Sequence, residues 1–303
     1  MSLHKSWLIT KLFFESWRRN FQGPFFAFGF PLMILLIMGE IQRVQWGPTP
    51  TPNQYETFLT TIMGIVGLSA ASVTITSMPM NLLGFKESII IKRIAITPIR
   101  KIDFILAPVI LGFLITVASA IWIIALSLAF FNYQIIESFK HLEHFKGTTA
   151  IPVTYGAGAI FSMLTGFLLV IIVGMSIGLF CASFTKTQQS GIGICMMIYF
   201  PSILLSGAGL PMPLITKSPI LNVVSYFMPT RYFLEILNIS ILYGGDGIFT
   251  NAHINDITYV PSSNPFVTAG SIYPDNMPAW ALIPINVGIA ALFMGLTYKL
   301  WKW

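Results

Sequence analysis

Six apolar runs decide what this chain can fold into. They lie at about 24–44, 58–83, 104–131, 156–184, 188–208 and 280–300. About 20 apolar residues in a helix cross the ~30 Å hydrocarbon core of a bilayer. Inside that core only helices or closed barrels satisfy their own backbone groups. The rest of the chain gives no relief from this reading. Only 9% of the residues are charged, against about 25% in soluble proteins, too few to cover a water-facing surface. The sequence therefore predicts an all-α membrane protein of six transmembrane helices, with no soluble domain large enough to work alone. Cys181 and Cys195 both sit in apolar stretches without paired spacing. They read as small buried hydrophobes and not as a disulfide framework or a metal site.

Residues 1–22 precede the first run. As a helix they gather His4, Lys11, Arg18 and Arg19, with Glu15, toward one side, and Leu3, Trp7, Phe14, Trp17 and Phe21 toward another. That pattern predicts an interfacial helix with its tryptophans at headgroup depth. Arg18-Arg19-Asn20-Phe21 faintly resembles a twin-arginine signal, but no small-residue cleavage site follows, so the first apolar run reads as an uncleaved span. The net charge of +6 is better explained by orientation than by nucleic acid. With the N-terminus inside, the inner segments hold twelve of the 17 Lys and Arg residues. The positive-inside rule then places both termini in the cytoplasm, with an even number of crossings.

Two stretches between the spans carry information. The first is the inner loop from Leu83 to Asp103, which contains Phe85, Lys86, Glu87, Ser88, Lys92 and Arg93. It reads as a short helix over 85–96 that ends at Thr97-Pro98, because proline disfavours helix in the residue before it. Two readings stand side by side: a docking element for a partner, and a positive-inside loop with none. The second stretch, 209–245, is moderately apolar, but Pro211, Pro213, Pro219 and Pro229 break it. It reads as a re-entrant helical hairpin in the outer leaflet, followed by an outer loop over 246–279. Pro229 suits the start of its second helix, on which Arg231 and Glu235, at i and i+4, fall on one face.

These two stretches resemble the membrane subunit of type-2 ABC exporters, the permeases of bacterial drug, polysaccharide and antibiotic-peptide export. The family's loop pattern, F-x-E-K-E-x-G-T-x-x-x-L-x-x-T-P-x-R, is met by Phe85, Lys86, Glu87, Arg93, Thr97, Pro98 and Arg100. Its glycine-threonine pair is missing, with Ser88 and isoleucines there instead. The second pattern is met in order by Ser206, Gly207, Pro211, Pro219, Pro229, Tyr232 and Glu235. The resemblance implies one permease domain over 1–303, with an N-terminal elbow helix, a cytoplasmic coupling helix and an outer hairpin that includes Pro229, Arg231, Tyr232 and Glu235. It also implies a homodimer in the cell membrane of a prokaryote and a separate cytoplasmic ATP-binding subunit that carries ATP and Mg. Phe85, Lys86, Glu87, Ser88, Lys92 and Arg93 would meet that subunit. The chain would have no catalysis of its own, and it carries no G-x-x-x-x-G-K-[ST] phosphate loop. The cargo would be a hydrophobic or amphipathic compound: a drug, an antibiotic peptide or a lipid-linked molecule.

Weaker signals leave choices open. The second span is rich in hydroxyls, which serve helix packing or line a pathway between two copies. On the pathway reading Ser69 and Thr74 would join Met196, Tyr199 and Ser206 of the fifth span. Gly174-x-x-x-Gly178 suits close helix approach. His141 and His144 flank Glu143, but without a third ligand they read as an amphipathic loop helix and not a metal site. A stand-alone channel or ion-coupled secondary transporter is the alternative function. It calls for a buried ionisable relay in the spans, and their central parts show none.

Overall fold

A computed structural model of the chain describes residues 3–46, 50, 52–87, 101–144, 157–185, 187–206, 215, 218–243 and 279–300. No strand occurs among them. Helix α1 is Leu3–Arg19 and α2 is Gln22–Gln45, with a π-helical turn at Phe25–Gly29. Helix α3 joins Pro52–Ala71, a π-helical stretch Ser72–Ser77 and Met78–Glu87. Then come α4 (Lys101–His144), α5 (Ala157–Phe184), α6 (Gln188–Leu205), α7 (Pro219–Tyr226), α8 (Pro229–Tyr243) and α9 (Leu282–Leu300). Among the described residues, six helices are long and apolar enough to cross a membrane: α2, α3, α4, α5, α6 and α9. The expected count of spans is met, and the protein is an all-α, multi-pass membrane protein.

The helices form an inner and an outer set. The apolar stretches of α3 and α5 are 89% and 72% buried within the chain, against 22% for α2 and α9. The burial explains the composition of α3. A helix shielded from lipid can carry Ser69, Ser72, Thr74, Thr76 and Ser77, all fully buried; the hydroxyls of Ser69, Ser72, Thr74 and Ser77 each donate to a carbonyl of their own or a neighbouring helix. The small residues of α5 set how close the two helices come. A Cβ at Gly174 would strike Thr74 Oγ1, and one at Gly178 would strike Pro79 and the Thr74 carbonyl. The packing reading of this glycine pair therefore holds.

Helix α4 is too long for one crossing, at about 66 Å for 1.5 Å per residue. It breaks at Phe131 (φ −124°, ψ 26°), where the predicted third span ends, but the helix resumes and runs on to His144. Phe131 is fully buried beside Phe58, and its ring fills the space that a Cβ at Gly39 would need. The stretch around His141, Glu143 and His144 is thus a continuation of α4.

The two π-helical turns face each other. A π-turn disturbs the regular i→i−4 ladder and leaves carbonyls to be satisfied from outside. Ser72 Oγ donates to the Phe26 carbonyl at 2.7 Å, and Ser77 Oγ to the Gly23 carbonyl at 3.1 Å. Trp17 Nε1 donates in turn to Ser77 Oγ at 2.8 Å. The chain α1–α3–α2 is thereby closed at the bend where α1 meets α2. Phe14 and Phe21 of the expected apolar face stay exposed, while Trp17 turns inward with Thr10 and Phe13.

Between the fifth and sixth spans the described part is a helix–turn–helix, α7 and α8. At 15 residues, α8 is about 22 Å long and falls short of a crossing. It is nonetheless buried on nearly every side, with Phe233, Ile236 and Ser240 inaccessible. Leu234 fills the notch at Gly67 of α3 and Ile236 the notch at Gly166 of α5, while Ser240 meets Ser162 of α5. Helix α8 therefore lies along the halves of α3 and α5 far from Lys86. Helix α7 leaves Ile220 and Val223 exposed, as is Phe227 just after it. The remainder of the expected hairpin (209–214, 216–217 and 244–245), the last two residues of the predicted fifth span (207–208) and the loop 246–278 lie outside the described residues.

Candidate coupling site

Chain direction puts the ends of α3 and α5 and the starts of α2 and α6 at one end of the bundle, together with Lys11, Arg18, Arg19 and Lys299. At this basic end the last turn of α3 reaches three different helices through three consecutive residues. Successive side chains on a helix point about 100° apart, so Phe85, Lys86 and Glu87 cannot share a face. Phe85 packs on Phe13 of α1, ring centroids 4.1 Å apart. One turn earlier, Asn81 Nδ2 donates to the Phe13 carbonyl at 3.1 Å. Lys86 Nζ donates to the Ala182 carbonyl at 2.6 Å. Glu87 Oε1 accepts from the Gln188 backbone N–H at 2.6 Å.

The last two contacts fit helix electrostatics. Ala182 lies in the final turn of α5, where carbonyls lack intrahelical partners and the macrodipole is negative. A lysine ammonium suits that end. Gln188 is the first residue of α6 after its N-cap Thr187, whose hydroxyl accepts from the Ser190 N–H at 3.3 Å. The Gln188 N–H is one of the orphan donors of a helix start, and a carboxylate suits it. Lys86 and Glu87 thus cap opposite ends of two successive spans. Gly191 admits Leu83 of α3 close to the α6 backbone, which brings the carboxylate within reach.

Of the residues expected to meet a partner, Phe85, Lys86 and Glu87 occupy this site. Ser88, Lys92 and Arg93 lie outside the described residues, as does the coupling helix beyond Glu87. The residues suggested as pathway-lining lie on α3 and α6 and at the end of α6. Ser69, Thr74, Tyr199 and Ser206 are buried inside the chain. Ser69, Thr74 and Ser206 return their hydroxyls to carbonyls of their own helices. Tyr199 packs against Phe30 at 6.0 Å between centroids. Met196 is half-buried; the open face of α6 is that of Met197, Phe200 and Leu204. The two cysteines are free and buried.

On α8, Arg231 and Glu235 are both buried, one turn apart. The Arg231 guanidinium lies over the Tyr226 ring at 3.9 Å and donates to Ser225 Oγ, a cation–π arrangement of the kind that arginine favours. Tyr232 Oη donates to the Tyr226 carbonyl at 2.7 Å. Together these contacts hold α7 on α8. Pro229, half-buried, is the first residue of α8, as predicted.

Comparison with known families gives one result. The model of the family described as "ABC-2 family transporter protein" matches residues 24–299, nearly the whole chain. Neither the curated proteins nor the solved structures give a match. Six apolar helices together with a match of this extent settle the class. The chain belongs to the ABC-2 family of transporter proteins, as the membrane subunit of an ABC transporter, a family that works with an ATP-binding subunit.

Proposed function

We propose that two copies of the chain form the translocation pathway of an ATP-driven exporter in a prokaryotic cell membrane. The basic end and both termini face the cytoplasm, as the Lys and Arg bias requires. A separate ATPase, holding ATP and Mg, docks there on residues 85–96, with Lys92 and Arg93 as its polar contacts. The cargo is a hydrophobic or amphipathic compound that leaves the cell, of the drug, antibiotic-peptide or lipid-linked kind. Helices α7 and α8 form an outer hairpin that enters and leaves the same side of the membrane.

The observation that carries this reading is the end of α3. The helix that leads into the docking loop is fastened, at its last turn, to α1, α5 and α6 together. A push on the loop reaches most of the bundle at once, which is what rocking a packed protein between two states needs. The pathway between copies is assigned to the open face of α6, with Met197, Phe200 and Leu204. The interior hydroxyls of α3 support it from behind.

The test is co-purification with the ATPase. Reversing charge at Lys92→Glu and Arg93→Glu is expected to abolish retention of the ATPase and the coupled hydrolysis. Full binding and hydrolysis by the double variant would refute the docking assignment. Cargo movement by the chain without any ATPase would favour the channel or ion-coupled alternative instead.

A further inference from the structure

We infer that Lys86 and Glu87 are positioning residues that clamp the inner ends of α3, α5 and α6 into one moving body, and are not contacts for the ATPase. The inference rests on the proposed docking at residues 85–96 and assigns two of that stretch's charged residues a different task. A side chain that met a partner would present its charge outward. Lys86 is half-buried and Glu87 exposed, yet both charges are engaged by helix ends of their own chain: the ammonium on the Ala182 carbonyl and the carboxylate on the Gln188 N–H, each at 2.6 Å.

The order of the charges matters as much as the distances. Helix α5 ends at Phe184 and α6 begins at Gln188, so only three residues separate the two helices at this turn. The turn has the negative end of one helix dipole on one side and the positive end of the next on the other. Lys86-Glu87 places a cation and an anion against those two ends in the matching order. The reversed dipeptide, Glu-Lys, would repel both. The clamp holds the two arms of a helical hairpin to the end of a third helix. Displacement of α3 along its axis would then carry both arms together, where a loose turn would let them splay.

The structure offers a substitution that removes one jaw of the clamp without touching either charged residue. Gln188 is the first helical residue of α6, where proline is favoured and its missing N–H costs the helix nothing. Thr187, which would precede the new proline, already has φ −119° and ψ 148°, inside the region that proline demands of its predecessor. Gln188→Pro therefore deletes the donor to Glu87 and leaves the helix start in place.

The experiment uses the full chain in complex with its ATP-binding subunit. Nitroxide labels go on Phe184→Cys and Gln189→Cys, both exposed positions that flank the turn, while Cys181 and Cys195 are buried. Pulsed dipolar spectroscopy then compares the nucleotide-free and ATP·vanadate-trapped complexes. With the clamp intact, the distance distribution is the same in both states. In the Gln188→Pro background the trapped state is expected to move away from the free one by at least a helix shift of about 1–2 Å, with the subunit still bound. Glu87→Gln is expected to behave alike. Lys86→Arg, which keeps a cation on the Ala182 carbonyl, is expected to match the unmodified chain. Coincident distributions in both states of Gln188→Pro would overturn the clamp, as would loss of the ATPase on Glu87→Gln, which would return Glu87 to the docking surface. Failure of the docking reading shows separately, as ATPase retention by the Lys92→Glu, Arg93→Glu chain.

Discussion

Replacing Gly178 by alanine tests the central packing of the bundle. A Cβ at this position would meet the Thr74 carbonyl oxygen and lie 2.5 Å from Pro79 Cγ. Carbon atoms settle at about 3.5–4.0 Å, so α3 and α5 must part by roughly 1 Å. Neither obstacle can rotate away, since one is backbone and the other a proline ring. A gap of that size forfeits about a quarter to a half of the dispersion well at each affected contact. Overpacking of this kind costs about 1–3 kcal/mol, and the immobile neighbours put Gly178→Ala in the upper half of that range. Alanine also raises helix propensity by up to about 1 kcal/mol, which has to be separated out. Gly295→Ala on α9 provides the control, because nothing lies within 4 Å of a Cβ there. Both variants gain the same propensity, so the difference between them isolates the clash, at about 2–3 kcal/mol. Reversible unfolding in mixed micelles, with the SDS fraction as denaturant, measures that difference. If Gly178→Ala and Gly295→Ala unfold at the same SDS fraction, the close approach of α3 and α5 is wrong.

Two other substitutions probe the ends of the bundle. Arg231→Leu removes the guanidinium that lies over the Tyr226 ring and donates to Ser225 Oγ, and is expected to cost about 1–3 kcal/mol. Unfolding of this variant at the same SDS fraction as the unmodified chain would show that these contacts do not hold α7 on α8. Ser77→Ala removes both the acceptor for Trp17 and the donor to the Gly23 carbonyl. It is expected to cost about 1–3 kcal/mol and to speed tryptic cleavage at Arg18 and Arg19 as α1 detaches. An unchanged cleavage rate would show that the bond does not hold α1.

Hydropathy made the spans legible because the bilayer constrains length and polarity more strongly than any soluble core does. Proline placed α7 and α8 for a local reason: Pro219 and Pro229 each occupy the first position of their helices, where the ring is tolerated. The π-helical turns at Phe25–Gly29 and Ser72–Ser77 were not legible. They come from the fit of two helices against each other, and neither Phe-Phe-Ala-Phe-Gly nor Ser-Val-Thr-Ile-Thr-Ser carries a local signal for them. The hydroxyls of α3 illustrate the same limit. Their number pointed to helix packing or to a pathway lining, and which of the two depends on rotation about the helix axis, which is set by tertiary packing. At the coupling site Lys86 and Glu87 stood out by motif and charge. Their true neighbours, Ala182 and Gln188, are about a hundred residues away, and one chain read alone has no signal that spans that distance.

The burial of α8 bears on how the molecule is built. A helix of this length with two buried charges has no stable place of its own in lipid, so it cannot enter the bilayer by partitioning as the spans do. Its seat is a slot whose walls, α3 and α5, are made earlier in synthesis. Until α8 arrives, the notches at Gly67 and Gly166 stand open and the hydroxyl of Ser162 lacks the partner it has in the finished fold. Helix α9 is synthesised after α8 and packs against α5 and α8, so the final span closes over a slot that must already be filled. A lesion in α8 would then appear first as a failure of biogenesis: a chain with its spans inserted but held open to quality control, degraded before it could be scored for transport.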